Sequence, residues 1–208
     1  VGRTKNAMVH YNACSLLTSE IRPYSLHSIG EIMLKPQKSL QEWQLAQATK
    51  KLEDLLEDAR SALRWLNEEK SIPAQKIILY GESLGAYPAI GLAGSQKFAG
   101  LILESPFSSV LEVARVHYGR WIPEILVKDF QMKNQELISQ VKAPLLIMHG
   151  SHDEICPVEM GERLYKLAPT PKELYVVLGA GHNNMAQVAG NAYVENAYQF
   201  LAKENGFG

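Results

Sequence analysis

Apolar residues recur at three- and four-residue intervals between positions 41 and 70, with charged residues between them. The apolar positions are Leu45, Ala48, Leu52, Leu55, Leu56, Ala59, Ala62, Leu63 and Leu66. This spacing predicts a long amphipathic helix. The helix is expected to end at Ser71-Ile72-Pro73. We interpret the apolar stripe as packing on a sheet rather than as a coiled-coil contact with a partner.

After this helix, short continuous apolar runs alternate with helical patterns. The apolar runs lie at 76–80, 101–103, 145–148 and 174–178. The helical patterns lie at 83–94, 158–167 and 185–203. Strands that are apolar throughout and separated by helices are typical of a parallel sheet covered on both faces. The chain is therefore predicted to be α/β, with a mostly parallel sheet and helices on both sides.

Two parts of the chain fit this alternation less well. Residues 7–10 predict a short strand, but no second strand is expected before the long helix, so the amino-terminal strands are atypical or incomplete. The segment 106–141 carries scattered aromatic and aliphatic residues. We expect a small lid or pocket wall there, with a surface excursion that fills a core edge as the alternative. Residues 1–208 are predicted to form one domain.

Composition narrows the function classes. The 208 residues are 46% hydrophobic and 21% charged, with a formal net charge of −1 and no basic cluster, which argues against nucleic acid as a partner. No run approaches the ~18–20 apolar residues of a membrane span, and the first residues lack a signal-peptide pattern. A cytoplasmic location is expected, although an anchor upstream of Val1 stays open.

The cysteine and histidine positions predict neither a disulfide framework nor a metal site. Cys14 and Cys156 lie far apart and form no C-x-x-C motif, so both are expected to be small, semi-buried residues. His10, His27 and His117 show no metal-ligand spacing with one another. No cofactor and no metal are expected.

The candidate chemistry begins at the first of these strands. The run 76–80 leads directly into Gly81-Glu82-Ser83-Leu84-Gly85, which has G-x-S-x-G spacing, and a helical apolar face follows. In such a turn small flanking residues let the strand break sharply into a helix, and the serine hydroxyl is exposed at the carboxyl end of the sheet. Taken alone, the motif is also compatible with a simple turn.

Two later strand ends supply partners for this serine. Asp153 follows the strand at 145–148, and His182 lies in a glycine-flanked loop after the strand at 174–178. A serine hydroxyl needs a base within reach and an acid that orients the base, and parallel strands bring their carboxyl ends to one edge. The order Ser83, Asp153, His182 is the nucleophile, acid, histidine order of α/β-hydrolases.

Each partner has an alternative interpretation. Asp153 could instead cap the helix that Pro157 starts, while Glu104 and Glu154 are competing acids. His182 could be a surface loop residue. His149 and His152 lie too close to the acid loop to be the base, and we interpret them as structural.

From residue 54 to residue 184, roughly two thirds of the chain, the sequence resembles α/β-hydrolase-domain serine hydrolases of the acyl-lipid and acyl-protein hydrolase branch. The matching stretches are Leu56-Glu57-Asp58-Ala59, Leu79-Tyr80-Gly81-Glu82-Ser83-Leu84-Gly85, Leu103-Glu104-Ser105-Pro106-Phe107, His149-Gly150-Ser151-His152-Asp153-Glu154-Ile155-Cys156-Pro157 and Gly179-Ala180-Gly181-His182-Asn183. The resemblance implies the α/β-hydrolase fold, with Ser83 as nucleophile, Asp153 as acid and His182 as base.

The amino-terminal third departs from this family. The family's H-G-N-A-G turn, which supplies one oxyanion-hole donor, is matched here only by His10-Tyr11-Asn12-Ala13-Cys14. We expect the backbone N–H of Leu84 to be one donor and that of Asn12 to be the second. Losing one such donor costs ~3–4 kcal/mol of transition-state stabilisation in a well-studied protease.

The sequence therefore predicts a serine hydrolase that cleaves carboxylic esters or thioesters through an acyl-enzyme. The aromatic and aliphatic stretch between Phe107 and Phe130 suggests an apolar acyl group. Small-molecule or acylated substrates are the expected partners, with a peripheral membrane contact as a further option. Two alternatives remain open: a peptidase that uses the same triad, and a weak or inactive hydrolase fold that serves in binding.

Overall fold

The computed structural model describes residues 8–11, 14–18 and 52–205. The described strands are β1 (Met8–Tyr11), β2 (Cys14–Thr18), β3 (Ile77–Glu82), β4 (Gly100–Glu104), β5 (Leu145–Gly150) and β6 (Lys172–Val177). They form one sheet in the order β1-β2-β3-β4-β5-β6. The strands from β3 to β6 are parallel, whereas β2 runs antiparallel to both of its neighbours. The predicted parallel sheet is confirmed.

Helices lie between consecutive parallel strands, because a connection between parallel strands must cross from one end of the sheet to the other. The helices are α1 (Leu52–Glu68), α2 (Ala86–Ser95), α3 (Val110–Tyr118), α4 (Asn134–Leu137), α5 (Val158–Leu167), α6 (Met185–Ala189) and α7 (Asn191–Asn205). Tighter 3₁₀ turns lie at Ala74–Lys76, Ser83–Gly85, Glu124–Phe130 and Ile138–Gln140. The predicted helix at 158–167 is confirmed at both ends. Within the described ranges, none of these helices is long and apolar enough to cross a bilayer.

Helices cover both faces of the sheet, and side chains along β3 point alternately to one face and the other. Ile77 and Leu79 pack in the same core cluster as α1, α2 and α5. Ile78 and Tyr80 point to the opposite face, where Phe200 of α7 is buried with them. Fully burying a large apolar side chain contributes about 1.5–3 kcal/mol, so these two layers stabilise the strand that leads to Ser83.

Two predictions about secondary structure are wrong. The strand β2, which was not expected, pairs with β3 from Cys14 opposite Gly81 to Thr18 opposite Ile77. Its five residues form a strand by pairing with a distant part of the chain, and the local sequence pattern does not predict this pairing. The helix predicted over 185–203 is two helices, because Gly190 adopts a φ of 57° and ends α6. The predicted helix at 41–70 is observed from residue 52, and its earlier part lies outside the described residues.

The segment 106–141 contains α3, α4 and two 3₁₀ turns. Phe107 is buried at its start, in a cluster with Met132, Cys156 and Met160. Farther along, large apolar side chains are exposed, namely Val116, Tyr118, Trp121, Ile125, Leu126 and Phe130. The segment therefore has an anchored beginning and an apolar outer surface.

Candidate active site

Ser83 lies in the sharp turn between β3 and α2. Its φ of 50° is a left-handed value that non-glycine residues rarely adopt. Gly81 makes the turn possible, since a Cβ there would lie 2.6 Å from the carbonyl oxygen of Gly85 and 2.9 Å from the Cβ of Ala89. The strained backbone holds the serine side chain at the carboxyl end of the sheet.

The structure brings the three predicted residues into one hydrogen-bonded line. Ser83 Oγ lies 3.0 Å from His182 Nε2, and His182 Nδ1 lies 2.8 Å from Asp153 Oδ2. Asp153 is buried, and its other oxygen accepts hydrogen bonds from the backbone N–H groups of Ile155 and Cys156. Both carboxylate oxygens are therefore occupied.

The charge of Asp153 determines which nitrogen of His182 carries the proton. Burial raises the pKa of the Asp153 carboxyl, but hydrogen bonds from His149, His182 and the Cys156 N–H outweigh burial and hold this pKa well below its usual value. An ionised Asp153 is an acceptor only, so His182 Nδ1 donates to it. His182 Nε2 is then free to accept the proton of the Ser83 hydroxyl.

The loops that carry Asp153 and His182 are tied to each other. The His152 N–H donates to the carbonyl of Ala180 at 2.8 Å, and the Gly179 N–H donates to Ser151 Oγ at 2.9 Å. These two bonds fix the spacing between the acid and the histidine.

The competing acids lie elsewhere. Glu104 is buried and accepts hydrogen bonds from the hydroxyl groups of Tyr80 and Tyr193, not from His182. Burial, together with the negative charge of Glu82, raises the pKa of Glu104 to about 7, although the two tyrosine donors oppose this rise. Glu154 is exposed on the loop of Asp153. The alternative that Asp153 caps the following helix does not describe its contacts. Asp153 accepts from the N–H of Ile155 in the turn before that helix, and the residue at the cap position of the helix is Pro157.

An apolar cluster is joined to the serine turn. Leu84, which directly follows Ser83, is half-buried and packs against the buried cluster of Phe107, as do Tyr87 of α2 and Val110 and Val113 of α3. The serine turn and the start of the segment 106–141 therefore share one apolar cluster.

The predicted oxyanion donors are only partly described. Leu84 directly follows Ser83 in the 3₁₀ turn, as the prediction requires. Asn12 lies outside the described residues, but its neighbours in β1 and β2 are described. Cys14 pairs with Gly81 and Tyr11 pairs with Cys14, so these strand ends lie at the edge of the sheet that carries Ser83.

The sequence left two contributors to this site without a role. His149, expected to be structural, places Nε2 3.3 Å from Asp153 Oδ2. Ser105 donates from Oγ to the backbone carbonyl of His182 at 3.3 Å, and its φ is 44°. A signal for His149 existed, namely its position four residues before the acid at the end of the same strand. Within the described part of the chain, no group of His, Cys, Asp and Glu could hold a metal ion.

The fold is that of an α/β-hydrolase, and Ser83, His182 and Asp153 have the arrangement of a serine-hydrolase triad. The chain belongs to the prolyl oligopeptidase family, whose pattern matches residues 38–207.

The chain is also similar to individual proteins. The uncharacterized protein Rv2307c of Mycobacterium tuberculosis is 38% identical over 149 residues, which cover 72% of this chain and 53% of that protein. The alpha/beta hydrolase domain-containing protein aho-3 of Caenorhabditis elegans is 34% identical over 152 residues, which cover 73% of this chain and 43% of the relative. The chain thus spans about half the length of these relatives.

A solved structure shows the same fold. The monoacylglycerol lipase of Paleococcus ferrophilus superposes with a TM-score of 0.54 at 21% sequence identity, over 72% of this chain and 76% of the lipase.

Proposed function

We propose that the protein hydrolyses carboxylic esters or thioesters with an apolar acyl group. The observation that carries this proposal is the hydrogen-bonded line from Ser83 through His182 to Asp153, with the serine in a strained turn. Ser83 Oγ attacks the acyl carbonyl while His182 Nε2 takes its proton, and the ionised Asp153 stabilises the imidazolium. The same histidine then returns the proton to the departing alcohol or thiol.

Water completes the cycle. It attacks the acyl-enzyme with His182 as base, which releases the carboxylic acid and restores the Ser83 hydroxyl. The N–H of Leu84 receives the oxyanion in both steps, and that of Asn12 is the proposed second donor. The half-buried side chains of Leu84, Tyr87, Val110 and Val113 support an apolar acyl group.

Covalent labelling and turnover test the proposal together. A fluorophosphonate probe should label the wild type at Ser83, and Ser83→Ala should lose the label and at least 10³-fold of the turnover of p-nitrophenyl esters. Ser139→Ala removes an exposed serine and serves as the matched control. A folded wild type that neither labels nor turns over any ester would favour the alternative of a binding protein on an inactive hydrolase fold.

Membership of the prolyl oligopeptidase family favours a second candidate, a peptidase that uses the same triad. The chemistry differs only in the leaving group, which is an amine that His182 protonates. Aminoacyl p-nitroanilides, compared with p-nitrophenyl esters and acyl thioesters of matched acyl length, distinguish the two. A kcat/KM for the anilides equal to or above that for the esters would replace the esterase proposal.

We also propose that the outer surface of the segment 106–141 contacts a membrane from which an acylated substrate is taken. Trp121 is 77% exposed, and Leu126 is 66% exposed. The segment 106–141 carries four cations and four carboxylates, so its formal charge is zero, and one of the carboxylates, Glu124, pairs with Lys133 at 3.7 Å. Exposed aromatic and aliphatic side chains fit the apolar side of a lipid–water interface.

A further inference from the structure

His149 is a buried histidine for which the proposed reaction has no direct use. It lies on β5, one residue before the strand ends, and its side chain is inaccessible to solvent. Its Nε2 lies 2.7 Å from the carbonyl oxygen of Cys156 and 3.3 Å from Asp153 Oδ2. His149 thus approaches the same carboxylate oxygen that receives the hydrogen bond from His182.

The contacts of His149 fix its tautomer. The Cys156 carbonyl and the ionised Asp153 are both acceptors, so Nε2 must carry a proton and share it between them. Nδ1 has no hydrogen-bond partner among the described residues. This edge of the ring packs on α5, where a Cβ at Gly161 would lie 2.4 Å from Nδ1. The ring is therefore held in one orientation, with Nδ1 against the glycine and Nε2–H towards the acid loop.

We infer that His149 is a positioning residue for the triad, which sets the orientation of Asp153. This inference rests on the proposed function of Ser83 and its partners. Among the described residues, two backbone N–H groups donate to Asp153 Oδ1, His182 pairs with Oδ2 at 2.8 Å, and His149 Nε2 approaches the same Oδ2 at 3.3 Å. Of these two imidazoles, only that of His182 takes part in the proposed proton transfer.

This arrangement has a consequence that a purely structural brace would not have. A donor at Oδ2 fixes the direction in which this oxygen faces His182, so its loss lets the carboxylate turn away from the line to Ser83. Substrate binding does not depend on this alignment, so kcat falls while KM stays close to the wild-type value. A side chain that returns a donor at the same place restores kcat.

Two amide side chains separate the role of Nε2 from that of the ring. In His149→Gln the amide nitrogen is as many bonds from the Cα as Nε2, whereas in His149→Asn it corresponds to Nδ1 and cannot reach Asp153. We expect His149→Asn to lower kcat about tenfold with KM within twofold of the wild type, since a hydrogen bond to a charged group is lost. His149→Gln should keep kcat within about threefold of the wild type.

Gly161→Ala provides a second perturbation that removes no hydrogen-bonding atom of the site. The added Cβ must displace the His149 ring, while alanine within a helix stabilises it by ~1 kcal/mol relative to glycine. A fall in kcat similar to that of His149→Asn, with KM unchanged, would support the inference even if His149→Asn does not fold. Circular dichroism and thermal melting establish which variants are folded.

The outcomes are distinguishable from a failure of the proposed function. If the wild type neither labels with a fluorophosphonate nor turns over esters, the proposed function itself fails. If the wild type is active while folded His149→Asn or Gly161→Ala retains its kcat, the inference is overturned and the triad stands. Equal losses of kcat in folded His149→Asn and His149→Gln would also overturn it and leave His149 as a packing residue.

Discussion

Ser105 Oγ donates a hydrogen bond to the backbone carbonyl oxygen of His182, at 3.3 Å. Ser105 is fully buried, and its own N–H donates to the carbonyl of Met148 on β5. The end of β4 therefore holds the loop that presents His182. This bond orients the backbone of the histidine, not its ring.

Replacing Ser105 by alanine should lower kcat roughly three- to tenfold and leave KM almost unchanged. Alanine removes the donor and leaves the His182 carbonyl with one partner fewer, a loss of ~0.5–1.5 kcal/mol. Stopped-flow or steady-state kinetics with a p-nitrophenyl ester give both constants. Ser95→Ala, whose hydroxyl bonds within its own helix, is the matched control. A Ser105→Ala enzyme with wild-type kcat would show that the loop holds His182 without this bond.

Asp153→Asn should reduce kcat by about 10⁴, whereas Glu154→Gln should stay within twofold of the wild type. The amide at 153 can donate towards His182 and favours the wrong tautomer, as in serine proteases with this change. Glu154 is the adjacent, exposed carboxylate and so controls for charge in the loop. Substantial activity in Asp153→Asn, lost when Glu104→Gln is added, would instead identify Glu104 as the acid.

Glu104 should make the protein less stable as the pH rises towards neutrality. Unfolded, this carboxyl loses its proton near 4.5, but in the fold its pKa is raised to about 7 by burial and by Glu82. The folded protein therefore binds this proton more tightly than the unfolded chain. The resulting contribution of Glu104 to the free energy of unfolding is complete below pH 4.5 and is lost as the pH rises through about 7. The difference between the two pKa values corresponds to about 3 kcal/mol of this free energy.

Urea unfolding at pH 4.5 and pH 8 measures this effect. The wild type should lose more free energy of unfolding between these values than Glu104→Gln, which cannot ionise. Glu136→Gln, at an exposed carboxylate, should behave like the wild type. The idea fails if wild type and Glu104→Gln show the same pH dependence.

The apolar outer surface of the segment 106–141 should bind lipid vesicles. Trp121→Ser combined with Leu126→Ser removes two of its most exposed side chains and should lower binding to vesicles of phosphatidylcholine at least fivefold. Sedimentation with vesicles measures this, and binding should change little in high salt, because the segment carries no net formal charge. Leu167→Ser, at the end of α5, is an exposed leucine outside this segment and is the control. Turnover of a short soluble ester should be unchanged in all variants.

The part of the chain that could be predicted is the part in which local pattern and fold agree. The strand before Ser83, the helix at 158–167 and the parallel order of strands followed from apolar runs and helical spacing, because those segments bury one continuous stripe or face. The strand β2 could not be found in this way. Its residues pair with residues of β3 that lie 59 to 67 positions farther along the chain, and only the completed sheet provides that partner.

The same distinction applies to the site. Ser83, Asp153 and His182 were named because each follows a strand, and parallel strands bring such ends together. The contacts of His149 and Ser105 could not be predicted, since each depends on how one loop packs on another. Tyr80 and Tyr193 illustrate the same point: 113 residues apart, they both donate to one oxygen of the buried Glu104, and their hydroxyl oxygens lie 3.2 Å from each other.

The bonds between the loops of Asp153 and His182 also determine how the site opens. The N–H groups of His152 and Gly179 each donate a hydrogen bond to the other loop. Neither loop can therefore detach without breaking both of these hydrogen bonds. Amide hydrogen exchange at these two positions should then report a single opening event, with a common free energy below that of global unfolding. Heat would abolish activity in that event, while most of the protein is still folded.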